Sequence, residues 1–265
     1  MNQPTPLVES LKTIIDGFEP ISLEEINRQA ALMFRVDTKF VLSIDRLASL
    51  LPIWKDTHRV LQVGDTRLAN YHNTYWDTPD LALYRAHHAG AGTRIKLRTR
   101  EYIDSNLRFF EVKLRTNKGK TEKKRTQLNE QTPPEDWIQQ YSSLDKKHLN
   151  GQALSQVLEV NYQRITLVPK QGSERITIDF ALSYRSDEQL YSMGPMVVIE
   201  VKTDGSVRSS VLHQLKQEGI REGSISKYCL GIFQLYPKAK KNLFKEQVRS
   251  INKKIHFYGP DTDRR

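Results

Sequence analysis

The sequence predicts an α+β fold: an eight-stranded antiparallel β tunnel, a closed barrel with a cationic interior and helices packed outside. Three observations predict it. About eight segments alternate apolar and polar residues with period 2, most of them at hairpin distance from one another. The polar face of those segments is cation-rich, strand after strand. Helical periodicity gathers mainly at the two ends of the chain.

The elements follow in order. Leu7, Val8, Leu11, Ile14, Ile15 and Phe18 fall at helical spacing, predicting an N-terminal amphipathic helix over 1–20 ahead of a main domain over 21–255. Gly17 and Pro20 punctuate its end. Ser22 and Glu25 have capping-box spacing and open a second helix. A strand at 34–42 leads to a third helix from about 43 to 54, interrupted by Pro52. Strands are expected near 68–76, 92–102, 107–116 and 120–128. Pro133 and Pro134 then open a helical stretch reaching about 158. Strands near 160–168, 174–184 and 195–203 come next, followed by helices near 207–218, 225–235 and 238–254. The tail over 256–265 is expected to be flexible.

Composition narrows the function. The 265 residues carry 41 Lys and Arg against 31 Asp and Glu, a net +10. That excess implies an anionic partner: nucleic acid, a membrane surface, or a phosphorylated small molecule or polymer. The single cysteine, Cys229, excludes a disulfide framework and a cysteine zinc site, and fits a reducing, cytoplasmic setting. No apolar run reaches the roughly 18 residues of a membrane span. The N-terminal residues do not read as a secretory signal.

The arrangement of the charges says more than their number. Successive side chains of a strand point to opposite faces. Arg94, Lys96, Arg98 and Arg100 therefore share one face, and Ile95 and Leu97 the other. Glu111, Lys113 and Arg115 alternate with Phe110, Val112 and Leu114; Lys123 and Arg125 share a face. Arg164, Arg175 with Asp179, and Glu200 with Lys202 repeat the pattern, and Lys39 sits two residues after Asp37. Neighbouring strands lie about 4.8 Å apart. Two like charges about 6 Å apart repel by roughly 3 kcal/mol at an effective dielectric of 20. Crowding on this scale calls for a bound polyanion. The isolated carboxylates Glu111, Asp179 and Glu200 are hard oxygen ligands suited to Mg²⁺ or Mn²⁺.

Other features read as structural. Gly90-Ala91-Gly92 reads as a hairpin turn, and the sequence contains no G-x-x-x-x-G-K-[ST] phosphate-binding loop. His87-His88 reads as a surface turn, and Asp77 as the end of a strand. Lys118, Lys120 and Lys124 read as solvated hairpin charges. The basic C-terminal helix with Leu243, Phe244 and Val248 is expected to pack on the tunnel wall, the alternative being a membrane or polyanion surface. Nucleic acid is not expected, because the basic faces as counted carry no interleaved aromatics.

Eight motifs in order carry a family resemblance: RVDTKFVL (35–42), YHNTYWDTPDLALY (71–84), RIKLRTREY (94–102), FFEVKLRTNKGKTEKKR (109–125), NYQRITL (161–167), ERITIDF (174–180), VVIEVKTDG (197–205) and SISKYCL (224–230). Over about 25–235 the chain resembles the VTC domain, the polyphosphate polymerase domain of the triphosphate tunnel metalloenzyme superfamily, which also includes CYTH-type triphosphatases. The resemblance implies metal-assisted transfer of a nucleotide γ-phosphate onto polyphosphate, or hydrolysis of a triphosphate. By motif, Lys39 matches the first-strand lysine. Lys96 and Arg98 match a basic pair, usually Arg-x-Arg. Lys113 and Lys123 match lysines of the next two strands, and Arg164 and Arg175 the later arginines. Lys227 matches the helix lysine and Glu200 the metal glutamate, with Glu111 as a second metal candidate. Arg94, Arg115, Arg125 and Lys202 join them as phosphate contacts on the cationic face. The first strand has Val36-Asp37-Thr38-Lys39 where CYTH enzymes open with Glu-x-Glu-x-Lys, which favours the VTC branch. The expected cofactor is Mn²⁺ or Mg²⁺. The expected partners are a nucleoside triphosphate, tripolyphosphate or polyphosphate, with room for a membrane-protein partner. Polyphosphate synthesis leads; a triphosphatase and a non-catalytic polyphosphate-binding module are the alternatives.

Overall fold

The computed structural model describes residues 6–29, 36–129, 134, 136–138, 152–187, 189–203 and 209–256. Its strands are β1 (Glu19–Ile21), β2 (Val36–Ser43), β3 (His58–Leu61), β4 (Ala69–Asp77), β5 (Arg94–Tyr102), β6 (Leu107–Arg115), β7 (Thr121–Leu128), β8 (Ser155–Pro169), β9 (Arg175–Arg185), β10 (Leu190–Ser192) and β11 (Met196–Thr203). Its helices are α1 (Pro6–Asp16), α2 (Leu23–Gln29), α3 (Ile44–Trp54), α4 (Ala82–His88), α5 (Ser210–Gln217), α6 (Lys227–Leu235) and α7 (Lys245–His256). The stretch expected to be helical to about 158 lies largely outside the described residues, but β8 already begins at Ser155. The tail beyond 256 lies outside them too.

All eight expected strands are present, in the order β2-β11-β9-β8-β4-β5-β6-β7; the short β3, with β1 beside it, pairs with β8 and the short β10 with β9, making an 11-stranded sheet. The expected closed barrel is not what forms. Among the described residues β2 and β7 end the ladder and are not bonded to each other. The sheet is nevertheless strongly curved. Six strand steps separate β2 from β6, about 29 Å in a flat sheet, yet Lys39 of β2 and Lys113 of β6 line one cavity. The exposed, charge-rich β7 is the kind of edge strand that resists pairing with another chain.

The outer face of β2, β11, β9 and β8 is apolar: Leu42, Val197, Ile199, Val201, Ile176, Ile178 and Ile165 are buried there. It is covered by Leu11 and Ile15 of α1, Leu47 and Leu51 of α3, and Val211 and Leu215 of α5. Ser43 starts α3, its hydroxyl accepting from the Arg46 N–H at 3.4 Å. Ile95, Leu97, Phe110 and Val112 form a second outer patch with Leu83 and Ile138.

The expectation that every helix packs outside fails for α6 and for the C-terminal α7, whose Val248, Ile251 and Ile255 are buried in one cluster with Val41 and Val198 of the concave face. Helix α6 is apolar on nearly all sides, with Tyr228, Cys229, Leu230, Ile232 and Leu235 buried. It occupies part of the concave face. A Cβ on Gly231 would lie 2.6 Å from Leu158 Cδ2 and 2.7 Å from Tyr184 Cδ1, so only glycine permits this approach to the sheet. Tyr228 stacks on Tyr75 at 5.0 Å. Among the described residues no helix is long and apolar enough to cross a membrane.

Candidate functional site

Directly paired residues of neighbouring strands point to the same face. The register links the candidates without a break. Lys39 pairs Glu200 and Glu200 pairs Thr177, while Lys202 pairs Arg175. Asp179 pairs Arg164, and Arg164 pairs Ala69 on β4. Tyr75 pairs Arg98 and Asn73 pairs Arg100. Arg98 pairs Glu111, Lys96 pairs Lys113, and Arg94 pairs Arg115; Lys113 and Glu111 then pair Lys123 and Arg125. Every strand candidate therefore faces the hollow of the sheet, and Lys227 joins them from the start of α6.

Asp179, Glu111 and Glu200 each anchor a separate group of cations on this face. Asp179 accepts from Arg164 at 2.5 and 2.7 Å and from Lys227 at 2.5 Å. Burial would raise its pKa, but Arg164 and Lys227 prevail and hold it well below the usual carboxylate range. Glu111 accepts from Arg98 at 2.7 Å, with Arg100 and Arg125 at 3.7 and 3.8 Å. Glu200 has lysines only, Lys39 at 3.4 Å and Lys202 at 3.6 Å. By contrast Arg94, Lys96, Lys113, Arg115 and Lys123 form no ion pair among the described residues. Lys96 donates to the Ser226 hydroxyl at 2.9 Å. Burial, with Lys96, Lys123 and Lys39 nearby, pulls the Lys113 ammonium down to about 8. These cations are held together at a cost, as expected of a site built for an anion. Ser226 caps α6 by accepting from the Cys229 N–H at 3.2 Å, turning the positive end of the helix toward the hollow.

Several residues stand differently from expectation. The basic face does carry aromatics: Tyr71, Tyr75, Tyr102, Phe109 and Tyr162 lie on it by register. Tyr71, Tyr75 and Tyr162 are buried, and they support cations from beneath. The Arg164 guanidinium lies 4.9 Å from the Tyr71 ring, and the Lys227 ammonium 4.7 Å from the Tyr162 ring. The alternation that groups Arg98 with Arg100 also includes Tyr102, so this part was legible. His87-His88 is not a surface turn. Both belong to α4; His88 is buried and accepts from the Leu243 N–H at 3.3 Å. Asp77 is fully buried and structural, accepting from the Leu83 and Tyr84 N–H groups at 2.8 and 2.9 Å and from the Tyr228 hydroxyl. Burial outweighs these bonds and raises its pKa. Lys118, Lys120 and Lys124 are exposed, as expected of the β6–β7 hairpin.

Among the described residues no three of His, Cys, Asp and Glu gather closely enough to cage a metal. Glu111, engaged by arginines, is a poor ligand. Glu200 fits a different mode, in which Mg²⁺ or Mn²⁺ takes one protein carboxylate and draws its other ligands from phosphate and water.

Among curated proteins no sequence matches the chain significantly. Among solved structures, a candidate adenylate cyclase from Bacillus halodurans shares 15% identity at a TM-score of 0.49, over 77% of this chain and 97% of that one. Another from Vibrio parahaemolyticus shares 14% at 0.44, over 74% and 97%. An adenylyl cyclase candidate from Hippeastrum, described as having a dominant triphosphatase activity, shares 17% at 0.44, over 75% and 95%. The sequence model of the VTC domain matches residues 34–236, a span that contains β2 through α6 and every candidate above, and the chain therefore belongs to the VTC domain family.

Proposed function

We propose that this protein is a divalent-metal-dependent phosphotransferase that moves the terminal phosphoryl group of a nucleoside triphosphate onto a polyphosphate chain. The observation that carries the reading is the row of cations on β5, β6 and β7 that have no ion-pair partner among the described residues; Arg94, Lys96, Lys113 and Arg115 of that row line one cavity with Lys39, whose ammonium lies 3.4 Å from Glu200. Such a row is costly unless phosphate fills it.

Phosphoryl transfer through a loose transition state asks the protein for positioning and charge neutralisation. Lys96, Lys113 and Lys123 would hold phosphate oxygens as point charges, and Arg94 and Arg115 as planar forks. Arg164 and Lys227, fixed by Asp179, and Arg98, fixed by Glu111, would present a preorganised field. Lys39, Lys202 and Arg175 would flank the ligand on the opposite wall, with Arg125 beyond Glu111. Glu200 would hold Mg²⁺ or Mn²⁺, which supplies charge neutralisation on the phosphate oxygens.

The test is incubation of pure protein with ATP and Mn²⁺ or Mg²⁺, with products resolved by chain length. A ladder of polyphosphates supports the reading. Orthophosphate alone, from ATP or tripolyphosphate, makes the protein a triphosphatase on the same site. No turnover of either substrate would leave only a binding role.

A further inference from the structure

At the end of the hollow nearest the β6–β7 hairpin lies a cavity of about 350 Å³ with two unlike walls. One wall is cationic: Lys39, Arg94, Lys96, Lys113 and Arg115. The other carries no cationic side chain: Ser224, Ile225, Ser226, Cys229, Phe244 and Gln247; His87 of α4 also lines the cavity. A bare phosphate chain is anionic on every side. Lodged here, it could take hydrogen bonds from Ser224 and Ser226 but would set other oxygens against Ile225, Cys229 and Phe244 without any, a costly desolvation. A ligand with a phosphate side and an organic side suits both walls.

His87 sharpens the point. Its Nε2 lies 3.2 Å from the Ile95 carbonyl oxygen, which can only accept, so Nε2 carries the proton and Nδ1 keeps its lone pair. Burial, with Lys96, Arg94 and Lys113 nearby, lowers its pKa to about 3 and leaves the ring neutral. A neutral acceptor gains nothing from a phosphate oxygen and pairs with a hydroxyl or an amine.

We propose that this cavity is the subsite for the organic end of the substrate, with the nucleoside of a triphosphate against His87, Phe244 and Gln247 and its phosphates on the cationic wall. The proposal rests on the triphosphate reading of the site and adds to it where the nucleoside sits and what selects it.

The test is metal-free calorimetry on the full chain with ATP and with methyl triphosphate, which keeps the phosphates but lacks base and sugar. The parent should bind ATP about tenfold or more tightly than methyl triphosphate. His87→Phe keeps the ring but loses the acceptor, and Gln247→Ala trims the mouth from its half-buried side. Each should bring ATP toward methyl triphosphate, with methyl triphosphate itself unchanged. Equal affinities in the parent, or variants that weaken both ligands alike, would overturn the subsite while leaving the phosphate site standing. If neither ligand bound the parent, the triphosphate reading itself would fall.

Discussion

Replacing Glu200 by Gln tests the centre of the site. Its side chain is 20% exposed, with Lys39 and Lys202 at 3.4 and 3.6 Å. Burial alone would raise its pKa; Lys202 and Lys39, with Arg164 and Lys227 beyond, prevail and hold it at about 2 against an ordinary 4.5. By linkage that depression is worth about 3 kcal/mol of native stability at neutral pH. The sign follows from a folded pKa below the unfolded one. The contribution is complete above pH 4.5 and disappears as pH falls toward about 2. Glu200→Gln should therefore lower the melting temperature at pH 7 by about 6–10 °C without metal or phosphate, and the gap should close on acidification. Metal-free affinity for tripolyphosphate should rise, because one repelling charge is gone. Turnover should collapse, and excess Mn²⁺ should recover part of it. A variant with parental melting across this pH range and a parental metal titration would refute the assignment.

Asp179→Asn leaves Arg164 and Lys227 buried without their carboxylate; it should cost about 3–5 kcal/mol, and a phosphate ligand should raise the melting temperature of the variant more than that of the parent. With the Lys113 ammonium at about 8, its charge is full below that pH and lost above it. Triphosphate binding should favour the charged form, so protons should be taken up on binding near pH 8 and affinity should fall as pH rises further; calorimetry in buffers of different ionisation heat reads both, and no proton uptake would contradict the site. Cys229 is the sole cysteine and lines the cavity. Bound ATP should slow its alkylation several-fold by mass spectrometry, and an unchanged rate would place the ligand elsewhere.

The eight long strands were legible because alternation in segments such as RIKLRTREY is unbroken over many residues. The missed β1 and β10 have 3 residues each and β3 has 4, too few for a period to show. The missed α4 follows Leu81, which has φ 58° and gives no side-chain cap. Asp77 binds its Leu83 and Tyr84 N–H groups from outside the helix, and no local pattern announces such a cap. The site was legible as a face, since cations two residues apart must share one. Its internal division was not, because the neutralising contacts of Glu111 and Asp179 come from neighbouring strands and from α6. The side of the sheet on which α6 lies was not legible, because a helix apolar on nearly all sides reads alike on either face. Closure was over-read, since strand number alone does not make a barrel; the last ladder must also pair.

On the proposed polyphosphate reading, the seam between β2 and β7, where among the described residues the edge of β2 pairs only with the short Glu222–Gly223 segment, changes how a polymer would reach the cations. A sealed ring can be threaded only by a free terminus, and each new chain must find the opening with its tip. A trough with an unlaced side takes a strand laid in along its length, wherever on the chain it happens to meet the protein. Long polyphosphate with both termini blocked should then load as readily as native chains, and a chain could be released sideways without being drawn out to its last residue. The same slit would let the two banks of lysines draw apart when empty and together when filled, making the cargo itself the lacing.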